Sequence, residues 1–159
     1  MKHLTKVFAL TLFMFSCTWS MAQSDAKEMA YQAYLTTNKS LWKQLVVKMQ
    51  SKFDGNKSLE NRYQLALAQH GLLQSTMTDQ DEDLFDDYFK KTKSHLYELI
   101  DEEYKEGSAR AMLTAIYGWE MGYSGWKGMF LGSKSSNNIE KATKTDPTSP
   151  FVWQVYGSS

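Results

Sequence analysis

The run Asp79-Gln80-Asp81-Glu82-Asp83 is the stretch that most resembles a reactive or ion-binding site. Aspartates at alternate positions are what a calcium loop offers a hard cation. Such a loop also needs a glycine at its sixth position, for a sharp turn, and a glutamate at its twelfth, to close the shell. Leu84 and Lys90 stand there instead. The run therefore reads as the acidic first turn of a helix, where carboxylates face the exposed N–H groups. His70 and His95 fall on different predicted helices, and no two histidines share a face at i, i+4 as zinc ligands would. Each is assigned to helix packing or the surface. Gly122-Tyr123-Ser124-Gly125 stops one residue short of a nucleophile elbow. Trp126-Lys127-Gly128 lacks the upstream glycines of a phosphate cradle. A catalytic triad need not be local in sequence, so spacing alone does not exclude one. The residue patterns call for no enzyme, no cofactor and no metal site.

The elements that carry these residues follow from composition and periodicity. The chain has 159 residues, and the 14% that are aromatic can build a packed core. Eighteen basic residues balance eighteen acidic ones, and no basic stripe stands out, which argues against a nucleic-acid partner. At the N-terminus, Lys2, His3 and Lys6 precede the apolar stretch Val7 to Phe15, which is too short to span a bilayer. Ser20-Met21-Ala22 supplies small residues for cleavage. Residues 1–22 are read as a signal peptide, 23–159 as one exported domain with no transmembrane segment, and the periplasm as the destination. Cys17 is the only cysteine. It is either discarded with the signal, which is the favoured reading, or it carries a lipid that anchors the protein to a membrane. In the first case the mature chain holds no thiol, and disulfides and thiolate catalysis drop out.

Helical periodicity dominates the rest. Helices are expected over about 25–35, 39–53, 58–74, 79–106, 109–122, 134–145 and from 149 onward. Asn38 and Ser58 are expected N-caps. Asp54-Gly55-Asn56 and Gly107 are expected stops, with Ser108 capping the helix after Gly107. The third helix carries two apolar rows. Tyr63, Ala66, Leu67, His70 and Leu73 form one, and Leu65, Ala68 and Leu72 the other, so it should be packed on both sides. Between the fifth and sixth helices, Tyr123 to Gly132 reads as a glycine-punctuated aromatic loop. Short connections imply antiparallel neighbours, and a succession of hairpins is the logic of a helical repeat.

The stretch Ile139 to Pro147, followed by Trp153, Tyr156 and Gly157, resembles the junction between two tetratricopeptide repeats. Ala142, Pro147, Trp153, Tyr156 and Gly157 fall in order on that family's small, proline, bulky, apolar and glycine positions. Tyr117-Gly118 repeats the Tyr156-Gly157 pair 39 residues upstream, and the excess over the ~34 of the standard repeat fits an inserted loop. Gly157 is expected to allow close contact between crossing helices. The chain as a whole looks like a group of exported tetratricopeptide-repeat proteins of Gram-negative bacteria. The resemblance implies an all-α array of about three antiparallel hairpins plus a partial helix. The final helix, from about residue 149, reads as the opening of a hairpin whose second helix is missing. It is expected to be a truncated ending, frayed or with its apolar side chains partly exposed, and a route to self-association.

The resemblance also implies a role. In the repeat register Trp119 and Tyr123 fall on positions that usually face the concave groove of such an array, where aromatic side chains would anchor a peptide or protein. Trp126 extends that candidate surface, with Met129 and Phe130 beside it. The competing expectation is burial of Trp126, Met129 and Phe130 against the hairpin, because each buried large side chain stabilises by ~1.5–3 kcal/mol. For Trp119 and Tyr123 the two readings are balanced. The expected function is a non-catalytic scaffold or adaptor for an unknown protein or peptide. The alternatives are a lipid-anchored accessory protein of an envelope assembly or transport system, and a small hydrolase or binder of a non-protein ligand.

Overall fold

The computed structural model describes residues 25–159. Residues 1–22, read from the sequence as a signal peptide, and Cys17 among them lie outside the described residues. All regular structure among the described residues is helical: α1 (25–35), α2 (Lys39–Gly55), α3 (Leu59–Thr76), α4 (Glu82–Asp101), α5 (Glu106–Tyr123), α6 (Gly128–Thr145) and α7 (Pro150–Ser158), with one 3-10 turn at Gly125–Lys127. The protein is all-α.

The helix starts follow their capping residues. The side chains of Asn38, Ser58 and Ser149 accept the backbone N–H of Leu41, Asn61 and Val152, and Pro150 opens α7 where no N–H is needed. Asp81 caps α4 by accepting from Leu84 N–H. Several expected boundaries move, and α4 begins at Glu82, not about 79, so that Asp79 and Gln80 lie in the turn before it. α4 stops at Asp101, and Glu103 and Lys105 take left-handed backbone angles, φ 51° and 47°. The chain therefore breaks at non-glycine residues. Gly107 is no stop and Ser108 no cap. Both lie in the first turn of α5, where Gly107 is buried. A Cβ on Gly107 would stand 2.5 Å from Cβ of Asp146, so the glycine serves close approach of α5 to the end of α6.

Successive helices pack pairwise from α2 to α7, and α3 with α5 and α5 with α7 also touch. Three apolar cores result. In the first, Leu65, Ala68 and Leu72 of α3 meet Trp42, Leu45, Val46, Met49 and Phe53 of α2 and Ala33 of α1. In the second, Ala66 and Leu73 of α3 meet Phe85, Phe89, Leu96 and Leu99 of α4 and Met112, Leu113, Ile116 and Tyr117 of α5. In the third, Ala111 of α5 meets Ile139 and Ala142 of α6 and Val152 and Val155 of α7. The two rows of α3 thus face two different cores, as its sequence requires. α5 is shared in the same way.

α7 is a formed helix that buries Val152 and Val155 and leaves Trp153 and Tyr156 half-exposed. The indole N–H of Trp153 donates to the carbonyl of Pro147 at 2.7 Å. Ala142 is fully buried. A Cβ on Gly118 or Gly157 would meet nothing within 4 Å. Among the described residues the tight glycine approaches lie at Gly71 and Gly107.

Candidate functional site

The segment expected to be a long loop is mostly helix. α5 runs through Tyr123, Ser124 joins it to the 3-10 turn, and α6 begins at Gly128. Gly128 and Gly132 therefore lie within α6. This early start decides which side chains can be buried. Leu131, Ser135, Ile139 and Ala142 are spaced i, i+4, i+8 and i+11, one helical stripe, and they face inward. Adjacent positions on a helix are turned about 100° from one another, so Phe130 and Met129 cannot share the stripe with Leu131. They point outward. Trp126, Met129 and Phe130 are 69%, 82% and 61% exposed. The expectation that these three fold back and bury is overturned.

Trp119 and Tyr123, one turn apart on α5, are half-buried and packed against the second core. The Trp119 ring lies 4.8 Å from the imidazole of His70, tilted by 46°. Phe151 approaches the same imidazole edge-on at 6.0 Å. His70 is thus the meeting point of α3, α5 and α7. The Tyr123 hydroxyl donates to the carbonyl of Thr76 at 2.8 Å, and its ring lies 4.8 Å from Phe85. Both residues tie α5 to the helices before it. Trp126 stands apart from them as the exposed member of the candidate set.

The histidines and the acidic run are held within the fold. Burial alone pushes the His70 imidazole down to about 4, so it is neutral at pH 7, and its buried Nε2 has no hydrogen-bond partner among the described residues. His95 is also lowered, first by burial and then by the Arg62 guanidinium, which lies 3.1 Å from its Nδ1. Arg62 in turn pairs with Glu98 at 2.6 Å. The acidic run is held by a lysine: Lys39 Nζ reaches Asp79 at 2.5 Å and Asp81 at 2.7 Å. Among the described residues no three His, Cys, Asp or Glu side chains come together as a metal cluster. Tyr117, which the sequence resemblance singled out, is buried with its hydroxyl 2.5 Å from that of Tyr97.

The site that geometry offers is therefore a surface. It is the exposed apolar corner formed by Trp126, Met129 and Phe130 where α5 turns into α6, braced from behind by Leu131 in the second core. Compared with protein-family models, with curated proteins and with solved structures, the chain matches none.

Proposed function

We propose that this protein is a non-catalytic helical adaptor that docks another protein or peptide on the apolar corner at Trp126, Met129 and Phe130. The exposure of those three side chains, all within residues 126–130 where α5 turns into α6, is the observation that supports the reading. Single exposed apolar residues are ordinary, but a cluster of large ones is typical of interaction surfaces. Tryptophan and phenylalanine are the anchors such surfaces use, because a rigid ring loses little entropy on docking. Trp119 and Tyr123, which the sequence placed in the same candidate set, keep a supporting role: they fix the end of α5 from which the corner projects.

The finer architecture we propose is a tetratricopeptide-like array. Its support is the shared use of α3 and α5 by neighbouring cores, the contacts of α3 with α5 and of α5 with α7, the buried Ala142, and Pro147 just beyond α6. Gly118, in open space, departs from that pattern. Export through the signal at 1–22 belongs to the same proposal and rests on Lys2, Lys6 and the apolar stretch 7–15. No helix among the described residues is long and apolar enough to cross a membrane.

Capture of a partner by the wild-type protein, lost when Trp126, Met129 and Phe130 are changed together to serine, tests the docking surface. Retained capture by that variant refutes it.

A further inference from the structure

A second feature lies at the other end of the molecule. Between α1, α2 and α3 there is a cavity of about 440 Å³, a size typical of small-molecule sites. Its existence has a local cause. α1 presents Ala26 and Ala30 to the crevice, and their methyl groups cannot fill it. Trp42, which lines it from α2, is held back against α3, because Gly71 lets the indole approach to where a Cβ would stand 2.4 Å away. Leu45 and Met49, both buried, and Leu67 complete the apolar lining.

The polar lining is asymmetric. Glu60 is already committed: its carboxylate accepts from the Tyr104 hydroxyl at 2.6 Å and from Gln64 at 2.7 Å, and Lys105 lies 3.4 Å away. These contacts, that of Tyr104 foremost, hold its carboxyl below the usual range. Asn61 is committed too, donating to the carbonyls of Asn56 and Lys52. Lys27 and Lys52 line the same cavity, and neither ammonium has a carboxylate partner among the described residues. With Glu60 paired to Lys105, what is left for a ligand is an apolar interior with the ammoniums of Lys27, at the exposed rim, and Lys52, half-buried.

We infer that this cavity binds a single-chain amphipathic anion, a medium-length alkyl carboxylate, with its chain over Trp42, Leu45 and Met49 and its carboxylate between Lys27 and Lys52. A methylene needs about the room of one liquid water, ~30 Å³, so the cavity admits a chain on the order of ten carbons. The opposite charge of the lysines selects the acid over the alcohol of equal length. The cavity shares none of its lining with the corner at 126–130, so loss of either site leaves the other intact.

Calorimetric titration with decanoate and with 1-decanol, below their aggregation limits, tests this. Wild type should take up decanoate in preference to decanol. Lys27→Gln with Lys52→Gln should weaken decanoate about tenfold and leave decanol within about twofold. Ala30→Trp, which fills the crevice, should abolish both while the far-ultraviolet circular dichroism stays helical. Absence of decanoate binding to wild type overturns the inference. So does equal weakening of acid and alcohol, or unchanged binding by a folded Ala30→Trp variant. If that variant does not fold, the double glutamine variant alone decides.

Discussion

The indole of Trp42 lies across the backbone of Gly71: a Cβ at residue 71 would stand 2.4 Å from Cη2 and Cζ3 of the ring. Gly71 sits in the interior of α3, where alanine is ordinarily favoured by about 1 kcal/mol. Here the sign reverses. Trp42 is packed among α1, α2 and α3, and the whole ring must move to admit one methyl group. Gly71→Ala is expected to destabilise by about 1–3 kcal/mol, or roughly 3 °C in melting temperature per kcal/mol. A thermal melt checks this. Adding Trp42→Leu should return part of the loss, since the two changes share one contact.

His70 predicts a specific acid response. Its folded value of about 4 lies below the ordinary 6.5, because burial penalises the imidazolium. The unfolded chain therefore takes up a proton near pH 6.5 while the folded chain does not. The contribution is fully present above pH 6.5 and is lost as pH falls through about 4, by up to about 1.4 kcal/mol per pH unit. His70→Leu removes that term. Denaturant melts at intervals from pH 7 to pH 4 should show a shallower loss for the variant than for wild type. Parallel curves would mean that His70 is hydrated and titrates normally.

Trp119 and Tyr123 should behave as packing residues. Trp119→Ala deletes a ring packed at a tilt against His70, and Tyr123→Ala deletes one packed at a tilt against Phe85. Each should cost about 2 kcal/mol or more, with a clear drop in melting temperature. Tyr123→Phe keeps the ring and removes only the bond to Thr76, for about 1 kcal/mol. By contrast, serine at Trp126, Met129 and Phe130 should leave the melting temperature nearly unchanged, because those side chains touch little.

What was legible in the sequence was periodicity and local chemistry. The two rows of α3 announced its two cores, and Asn38, Ser58 and Ser149 announced their helices through side-chain oxygens next to apolar stripes. What was hidden depended on tertiary approach. Gly128 and Gly132 look like loop residues, yet α6 runs through them, since packing against α5 outweighs their low propensity. That shift turned Met129 and Phe130 outward. The end of α4 was hidden too, because Glu103 and Lys105 adopt left-handed angles that sequence reserves for glycine. Gly71 was a missed signal, as Gly107 was: a glycine inside a strongly helical, two-faced segment marks a close approach.

The docking claim is tested most directly by partner capture at matched stability. Wild type, the Trp126→Ser, Met129→Ser, Phe130→Ser triple variant, and Val47→Ser, a change at an exposed residue of α2, are immobilised in equal amounts. Bound protein is then quantified after each melting temperature has been recorded. A docking surface at 126–130 requires that wild type and Val47→Ser capture the same partner, and that the triple variant loses at least about nine-tenths of it while melting within about 2 °C of wild type. Equal capture by the triple variant would contradict it.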